Sequence, residues 1–332
     1  MKNILVTGGA GYIGSHIVKL LAEQGYNPVV LDSLVTGHIS AVHKNITFIR
    51  GDIADSLLVE NTVKNEKIDA VIHLAARSIV SESIQQPSLY FQENTIKSIC
   101  FINSLVNSGV KKIIFSSTAA VYGIPQENPI KESTPCHPIN PYGISKMLIE
   151  KYLSHTEKCS ELKWIALRYF NATGAALDGS IGEDHTPETH LIPLILKTAL
   201  KQHKQIEIFG TDYQTPDGTC IRDYVHVLDI ANAHIAALNA LEREDRHNIY
   251  NIGAGLGYSV KEIIDIAHKI TGQPITSASS PRRNGDPDCL VPSVDLIQSD
   301  LRWEPQYSSI EQIIESAWKW HKNHPNRYTK GK

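Results

Sequence analysis

Cysteine is scarce in this sequence and the net charge is small. The 332 residues include 5 cysteines, an odd number scattered between Cys100 and Cys289, which is not the pattern of a disulfide framework. We therefore expect a reducing, cytoplasmic setting. The formal net charge of −3 gives no basic footprint for nucleic acid or an anionic membrane, so we predict neither as a partner.

Long apolar runs and metal-binding motifs are also missing. No segment approaches the ~20 consecutive apolar residues that cross a bilayer. We expect no cleaved leader, because the chain enters a short apolar strand at once. The 15 histidines include no H-E-x-x-H pair, and His321-x-x-His324 lies in a polar tail. We therefore predict no metal site.

The first distinctive feature that is present is a glycine-rich turn. An apolar strand at 4–6 leads into this turn, and an apolar-periodic helix follows. Gly8, Gly11 and Gly14 are spaced three apart, and Gly9 completes an alternative G-x-G-x-x-G spacing with the last two, so the subtype stays open. Either spacing lets a pyrophosphate approach backbone N–H groups at the positive end of a helix.

An acidic residue closes the second apolar strand, Val29-Val30-Leu31-Asp32. Asp32 follows Gly14 by 18 residues. That spacing is close to the one expected for a carboxylate that accepts hydrogen bonds from the adenosine ribose of a dinucleotide. Because a carboxylate repels a 2′-phosphate, the sequence predicts NAD as the cofactor.

Strands alternate with helices through the first half, and strands that are apolar on both faces are typical of a parallel sheet covered by helices. We predict an α/β fold: a Rossmann-type parallel sheet flanked by helices, with a smaller C-terminal α/β substrate-binding lobe. The NAD-binding domain is expected at 1–170, with a returning strand near 248–252, and the substrate-binding domain at 171–330. Capping boxes at Ser259-x-x-Glu262 and Ser308-x-x-Glu311 predict two helix starts. Predicted strands are 4–6, 29–32, 46–49, 69–75, 112–117 and 164–168, and predicted helices are 12–24, 55–65, 88–108, 142–158, 189–202, 228–242, 259–271, 294–300 and 309–322.

Ligands of such folds gather beyond the carboxyl ends of the strands. We therefore expect Asp52 and Ile53 beside the adenine, and residues 73–76 along the middle of the cofactor. His73 lies within an apolar strand and is expected to be a hydrogen-bonded core residue. The residues assigned to the cofactor in this part of the chain are Gly8, Gly11, Tyr12, Ile13, Gly14, Asp32, Asp52, Ile53, Leu74, Ala75, Ala76 and Ser116.

Tyr142 and Lys146 are candidates for acid–base chemistry. They are four residues apart, so they project from one face of a helix. A phenol has a pKa of about 10. We hypothesise that the lysine, together with a positive nicotinamide, lowers the pKa of Tyr142. Thr118, at the end of a strand, either relays a substrate proton or is satisfied by backbone. A second pair, Tyr328-x-x-x-Lys332, is interpreted as chance.

Several motifs in this order resemble the extended short-chain dehydrogenase/reductase superfamily. They are Thr7-Gly-Gly-Ala-Gly-Tyr-Ile-Gly14, Ser116-Ser-Thr118, Tyr142-x-x-x-Lys146, Arg168-Tyr-Phe-Asn171 and Arg222-Asp-Tyr-Val-His226. Over essentially its full length the chain is similar to the UDP-glucose 4-epimerase family within that superfamily. The more diagnostic matches are Gly182-Glu-Asp184, Ile208-Phe-Gly210, Asp217-Gly-Thr219 and Pro281-Arg-Arg-x-Gly-Asp286.

This resemblance implies a tightly held NAD, a UDP-hexose substrate and usually a homodimer. It implies interconversion of UDP-glucose and UDP-galactose through a 4-keto intermediate, as in galactose metabolism. Tyr142 would be the catalytic base, Lys146 would hold the nicotinamide ribose, and Thr118 would relay the proton. Tyr169 would lie near the carboxamide of the cofactor. The residues implied to hold the substrate are Thr118, Asn171, Leu191, Phe209, Arg222, Arg283 and Asp286.

Other activities remain open from the sequence. A 4,6-dehydratase needs an extra acid and base directly after the threonine, where this chain has Ala119 and Ala120. The two alanines therefore argue against a dehydratase. UDP-N-acetylglucosamine, UDP-glucuronate and UDP-pentose 4-epimerases are not separated from the main prediction. Arg77 could bind the carboxylate of a uronate, but we expect it to face solvent. Leu290 lies where relatives control access of an N-acetyl group to the pocket. Glu93 replaces an asparagine that many relatives have at this position. A non-catalytic NAD-binding scaffold would be expected to lack the Tyr/Lys pair or a basic substrate lobe, whereas this sequence has both.

Overall fold

A computed structural model describes residues 2–283 and 285–328 of the chain. Its first half alternates strands and helices. These are β1 (Asn3–Thr7), α1 (Tyr12–Glu23), β2 (Asn27–Asp32), β3 (Thr47–Arg50), α2 (Ser56–Asn65), β4 (Ala70–His73), α3 (Val80–Gln85), α4 (Pro87–Tyr90), α5 (Lys97–Asn107), β5 (Lys112–Thr118), α6 (Pro141–Cys159) and β6 (Lys163–Tyr169). The second half is more irregular and has shorter strands. Its elements are β7 (Asn171–Thr173), α7 (Leu191–Ala199), β8 (Ile206–Phe209), β9 (Ile221–Arg222), β10 (Tyr224–His226), α8 (Val227–Ala240), β11 (Ile249–Ile252), β12 (Tyr258–Ser259), α9 (Val260–Thr271), β13 (Ser277–Ser280), β14 (Cys289–Leu290), α10 (Asp295–Leu301) and α11 (Ile310–Asn323).

Seven strands form one parallel sheet in the order β11-β6-β5-β4-β1-β2-β3. Apolar side chains cover both faces, with α1 and α8 on one and α2, α5 and α6 on the other. The late strand β11 pairs with β6, as predicted for the segment near 248–252. A third apolar cluster joins α7, α9, α11 and β8 in the smaller lobe. The predicted fold class is therefore confirmed.

Two local predictions need correction. The helix expected at 88–108 is present, but a π-helical turn at Phe91–Ile96 lies between its α-helical parts α4 and α5. The second capping box is also incorrect, because Ser309 caps α11 by accepting the N–H of Gln312, whereas Ser308 donates to Asp229. The first box is present: Glu262 N–H donates to the Ser259 hydroxyl. Sequence spacing alone did not distinguish two adjacent serines.

Within the described ranges, no helix is long and apolar enough to cross a membrane. All five cysteines are free thiols. Of the Tyr/Lys pair in the tail, Tyr328 accepts the N–H of Gly182, while Lys332 lies outside the described residues.

Candidate active site

One large cleft of about 2090 Å³ opens at the carboxyl ends of the parallel strands. Every residue assigned from the sequence to cofactor or substrate lines this cleft. The glycine turn and Asp32 lie in the same cleft as Thr118, Tyr142 and the arginines of the smaller lobe. The fold therefore brings together side chains that are up to 278 residues apart, from Gly8 to Asp286.

The glycine turn fits a dinucleotide pyrophosphate. Gly8 has a positive φ of 71°, and a Cβ there would lie 2.8 Å from the backbone nitrogen of Ala75. A Cβ on Gly14 would lie 2.2 Å from the carbonyl oxygen of Gly8, so the turn and α1 could not pack with larger residues. In the described part of the chain no side chain caps α1 at Gly11, which leaves its first N–H groups available to an anion.

Asp32 and Asp52, which are predicted to lie beside the adenosine, both line the cleft. Asp32 is 7% exposed, and its oxygens accept the N–H groups of Ala10 and Leu34 at 3.0 and 2.8 Å. Burial raises the pKa of Asp32, although these two N–H groups offset part of the effect. Asp52 accepts from Lys97 at 2.6 Å, and Lys97 also donates to Glu93 at 2.9 Å. Glu93, the departure from relatives, is therefore engaged in an ion pair.

His73 is a core residue, as predicted. It is 1% exposed, and its ring nitrogens lie 2.7 Å from the Thr7 hydroxyl and 2.9 Å from the Ser98 hydroxyl. Burial lowers the pKa of His73 to about 3, so the ring is neutral. These contacts hold β4 beside β1, and the backbone that follows, Leu74 to Ala76, lines the cleft.

Thr118, Tyr142 and Lys146 line the same cleft. Asn140 caps α6 by accepting the N–H of Gly143, and Pro141 occupies the first turn, so the helix begins just before Tyr142. One turn later, Lys146 is 4% exposed and donates to the Ser116 carbonyl at 2.8 Å. The Thr118 oxygen accepts the N–H of Ala120, and interaction with the Thr118 side chain lowers the pKa of the Tyr142 phenol.

The lysine alone does not produce the predicted shift in the pKa of Tyr142. Burial raises the pKa of this phenol, and the hydrogen bond with Thr118 offsets only part of the rise. Burial also lowers the pKa of Lys146 to about 7, against a smaller effect of Glu150. The physical reason is that both groups are buried together, and burial disfavours the charged form of each.

A buried ion pair behind α6 was not found from the sequence. Arg168 on β6 makes two hydrogen bonds to the Glu150 carboxylate, at 2.6 and 3.0 Å, and a third to the Tyr122 hydroxyl at 2.9 Å. Ser117 also donates to Glu150. Since Glu150 lies one helical turn after Lys146, this network fixes α6 against β5 and β6. The sequence analysis identified the motif that contains Arg168, but it did not identify Glu150 as the partner of this arginine.

Charged side chains line the end of the cleft in the smaller lobe. Arg222 donates to Asp286 at 2.5 Å, and the guanidinium of Arg283 lies 4.1 Å from the centre of the Phe209 ring. Asn171 donates to the Asp223 carbonyl at 2.6 Å. Leu191, the first residue of α7, lines the same region. Planar guanidinium groups in this position suit a diphosphate.

Two side chains relevant to substrate choice have defined positions. Arg77 does not face solvent as expected, because its guanidinium lies 3.4 Å from the Glu82 carboxylate and its side chain is only 27% exposed. Glu82 also accepts from the Tyr90 hydroxyl. Leu290 packs against the apolar cluster that contains Tyr122 and Phe170, and it lines the cleft. Arg77 is thus already paired with a carboxylate of the protein.

The sequence prediction also missed a group of four side chains on the cleft wall. Each member offers one possible metal-ligand atom, and the four atoms lie close together. The four residues are Glu183, His185, Glu188 and His190. Their spacing, E-x-H-x-x-E-x-H, differs from the H-E-x-x-H motif on which the prediction of no metal site depended. The alternation of two acids with two histidines was the signal that could have revealed them.

The fold and this constellation define a dinucleotide-binding protein of the short-chain dehydrogenase/reductase class. The sequence pattern of the NAD dependent epimerase/dehydratase family matches residues 4–253. The chain belongs to that family, and the resemblance predicted from its motifs is confirmed.

Individual relatives are similar over nearly their whole length. The UDP-glucose 4-epimerase of Streptococcus mutans is 50% identical over 327 residues, 98% of this chain and 98% of that protein. That of Halalkalibacterium halodurans is 49% identical over 326 residues, 98% of this chain and 97% of the relative. A crystal structure of UDP-glucose 4-epimerase from Bifidobacterium longum in complex with NAD+ and UDP has a TM-score of 0.93 at 35% identity, covering 98% of this chain and 99% of that one.

Proposed function

We propose that the protein is an NAD-dependent UDP-hexose 4-epimerase, an isomerase that interconverts UDP-glucose and UDP-galactose through a 4-keto sugar. The observation that carries this proposal is that Thr118, Tyr142 and Lys146 share one cleft with the glycine turn and with Arg222. Relatives with this name and about half of their residues identical support the same activity.

The side chains of the cleft have distinct tasks in this reaction. Bound oxidised NAD supplies a hydride acceptor for C4 of the hexose and a positive charge beside the phenol. Tyr142 accepts the proton of the sugar 4-hydroxyl. Thr118, whose oxygen is held by the Ala120 N–H, keeps its own hydrogen for the relay between sugar and phenol. Lys146, fixed on the Ser116 carbonyl, holds the ribose beside them.

Epimerisation also requires the keto sugar to turn while its nucleotide stays bound. Arg222, Arg283 and Asp286 concentrate charge at the nucleotide end of the cleft. Near Thr118, by contrast, the wall includes the apolar Ala119, Ala120 and Leu290. A strong grip on the diphosphate and a weak one on the hexose permit hydride return to the opposite face.

A 4,6-dehydratase is the second candidate and is less consistent with the cleft. Thr118 is followed by a 3-10 turn, Ala119–Tyr122, whose first two side chains are methyl groups. They offer neither the acid nor the base that elimination of water needs.

Further features of the protein are part of this proposal. We propose a homodimer, a reducing cytoplasmic setting and a role in galactose metabolism, as the family resemblance suggests. We also keep the division into an NAD-binding domain at 1–170, with the returning strand, and a substrate-binding domain at 171–330. The third apolar cluster lies within the second segment and joins the buried faces of α7, α9 and α11, which supports a separate core there, although α8 of the same segment packs on the parallel sheet.

The proposed reaction is tested on the purified holoprotein. Denaturation is expected to release NAD, which an enzymatic NAD assay identifies. The native protein is expected to convert UDP-galactose and UDP-glucose into the same equilibrium mixture, followed by chromatography. Bound NAD without epimerisation of any UDP-hexose would contradict the proposal, and a 4-keto-6-deoxy product would indicate a dehydratase.

The two adjacent arginines provide a matched test of the nucleotide end. Arg283, stacked on Phe209, lines the cleft, whereas Arg282 pairs with Asp212 on the surface at 2.6 Å. Arg283→Ala is expected to weaken UDP binding to the holoenzyme by about 10- to 100-fold, the value of a charged hydrogen bond. Calorimetric titration measures this, with Arg282→Ala as control. Equal losses in both variants would mean that net charge, not contact, holds UDP.

A further inference from the structure

The cluster of Glu183, His185, Glu188 and His190 lies in the loop between β7 and α7. Its four candidate ligand atoms all lie within 4.8 Å of one another. His190 Nδ1 is 2.7 Å from Glu183 Oε1 and 3.3 Å from Glu188 Oε1. His185 Nδ1 is 3.2 and 3.9 Å from the same two oxygens. Ligand atoms of a tetrahedral ion with bonds of about 2.0–2.1 Å lie about 3.3–3.4 Å apart. The four distances in the cluster, 2.7 to 3.9 Å, lie on either side of that value.

The hydrogen bonding of the cluster is incomplete. Glu183 Oε1 and His185 Nδ1 are buried, and in the described ranges neither has a partner with hydrogen-bond geometry, although the two atoms are close together. The Glu183 side chain is only 4% exposed, and within the described residues its ion-pair contacts are to these histidines alone. Buried polar atoms without hydrogen bonds are rare in native proteins. An ion between them would satisfy both atoms.

The remaining carboxylate is held in place by its surroundings. Glu188 Oε1 accepts the backbone N–H groups of Thr189 and His190 at 2.9 and 3.0 Å, and Lys197 lies 3.4 Å from Oε2. Partners of this kind orient the ligands of metal sites. Glu188 Oε1 already accepts two N–H groups, whereas Glu183 Oε1 accepts none in the described ranges. We therefore expect Glu183 to contribute more to metal affinity.

We propose that Glu183, His185, Glu188 and His190 bind one divalent metal ion of the zinc type. Two imidazoles and two carboxylates form a ligand set that Zn²⁺ accepts, and four protein ligands leave no open position for chemistry. The site is therefore structural. The site joins the loop to the start of α7. The loop lies beside the glycine turn, where the Tyr12 and His185 rings are in edge contact, and α7 begins at Leu191, which lines the cleft.

The direct test uses untagged full-length protein. After removal of metal with a chelator, the protein is reloaded with zinc sulfate alone, and its metal content is measured by mass spectrometry. We expect one zinc ion per chain and a higher melting temperature for the loaded form. X-ray absorption of the loaded wild type should show nitrogen and oxygen ligands at about 2.0–2.1 Å. Sulfur ligands, or no stoichiometric zinc, would overturn the proposal.

Variants locate the site on the chain. Glu183→Gln and His185→Asn are each expected to weaken zinc binding at least about 10-fold in competition with a chromophoric chelator. His155→Asn is the control, because His155 is an exposed histidine on α6. Unchanged affinity in His185→Asn, or equal loss in the control, would contradict the assignment. These measurements do not depend on turnover, so they stand or fall separately from the proposed reaction.

Discussion

Replacing Tyr142 with phenylalanine is expected to lower kcat by about 10²- to 10⁴-fold, the contribution typical of a general base, while NAD stays bound. The change removes one oxygen and keeps the ring. The ring is in edge contact with Tyr90 at 6.3 Å between centroids, so the packing of the first turn of α6 should persist. The variant therefore lacks only the hydroxyl that is proposed to accept the sugar proton.

Two measurements separate this effect from a structural one. NAD released from the denatured variant should match that of the wild type, and the rate of UDP-galactose conversion should fall. Tyr152→Phe is the matched control, because Tyr152 lies on the same helix and its hydroxyl only donates to Asn103 at the surface. Substantial activity in Tyr142→Phe would mean that another group is the base.

The parts of the site that the sequence predicted depend on short-range rules. Gly8 and Gly14 are identified by spacing because backbone approach excludes any Cβ, and Asp32 by its place at the end of an apolar strand. Tyr142 and Lys146 are four residues apart, so they lie on the same face of any α-helix that contains both. Each of these rules involves only one helix or strand and the turn next to it, so it can be applied to the sequence alone.

The parts that were missed depend on tertiary contacts. Glu93 pairs with Lys97 within a helix, but the Asp52 that completes the group is 45 residues away from Lys97. The π-helical turn at 91–96 inserts where the apolar pattern shows an unbroken helix. Neither the partner of a charged residue nor an extra residue in a helical turn is encoded in hydrophobic periodicity.

The pKa values of the central pair show the same limit. The spacing of Tyr142 and Lys146 predicts that they are neighbours, but not that both are buried. Burial raises the pKa of the first and lowers that of the second, which opposes the shift that catalysis needs. In the proposed reaction, the charge that favours the phenolate comes with the bound nucleotide, which would link proton transfer to an occupied cofactor site.

The ion pair behind α6 leads to the second large effect. Glu150→Ala is expected to lower the free energy of unfolding by about 3–5 kcal/mol, the cost of leaving one partner of a buried pair uncompensated. The side chains of Glu150 and Arg168 are 6% and 4% exposed, so water cannot replace the lost carboxylate. Ser117, which donates to the same oxygen that receives the Arg168 Nε–H, loses its acceptor as well.

Denaturant unfolding measures this loss, with Glu161→Ala as control because Glu161 forms an exposed ion pair with Lys111 and should give no measurable change. The double variant Glu150→Leu/Arg168→Met removes both charges and is expected to recover most of the stability. A loss below about 1 kcal/mol in Glu150→Ala would contradict a buried-charge penalty. Glu150 is one helical turn from Lys146 and is hydrogen-bonded to Ser117 on β5 and Arg168 on β6. If the penalty is found, this pair stabilises the position of α6 that keeps Tyr142 and Lys146 in the cleft.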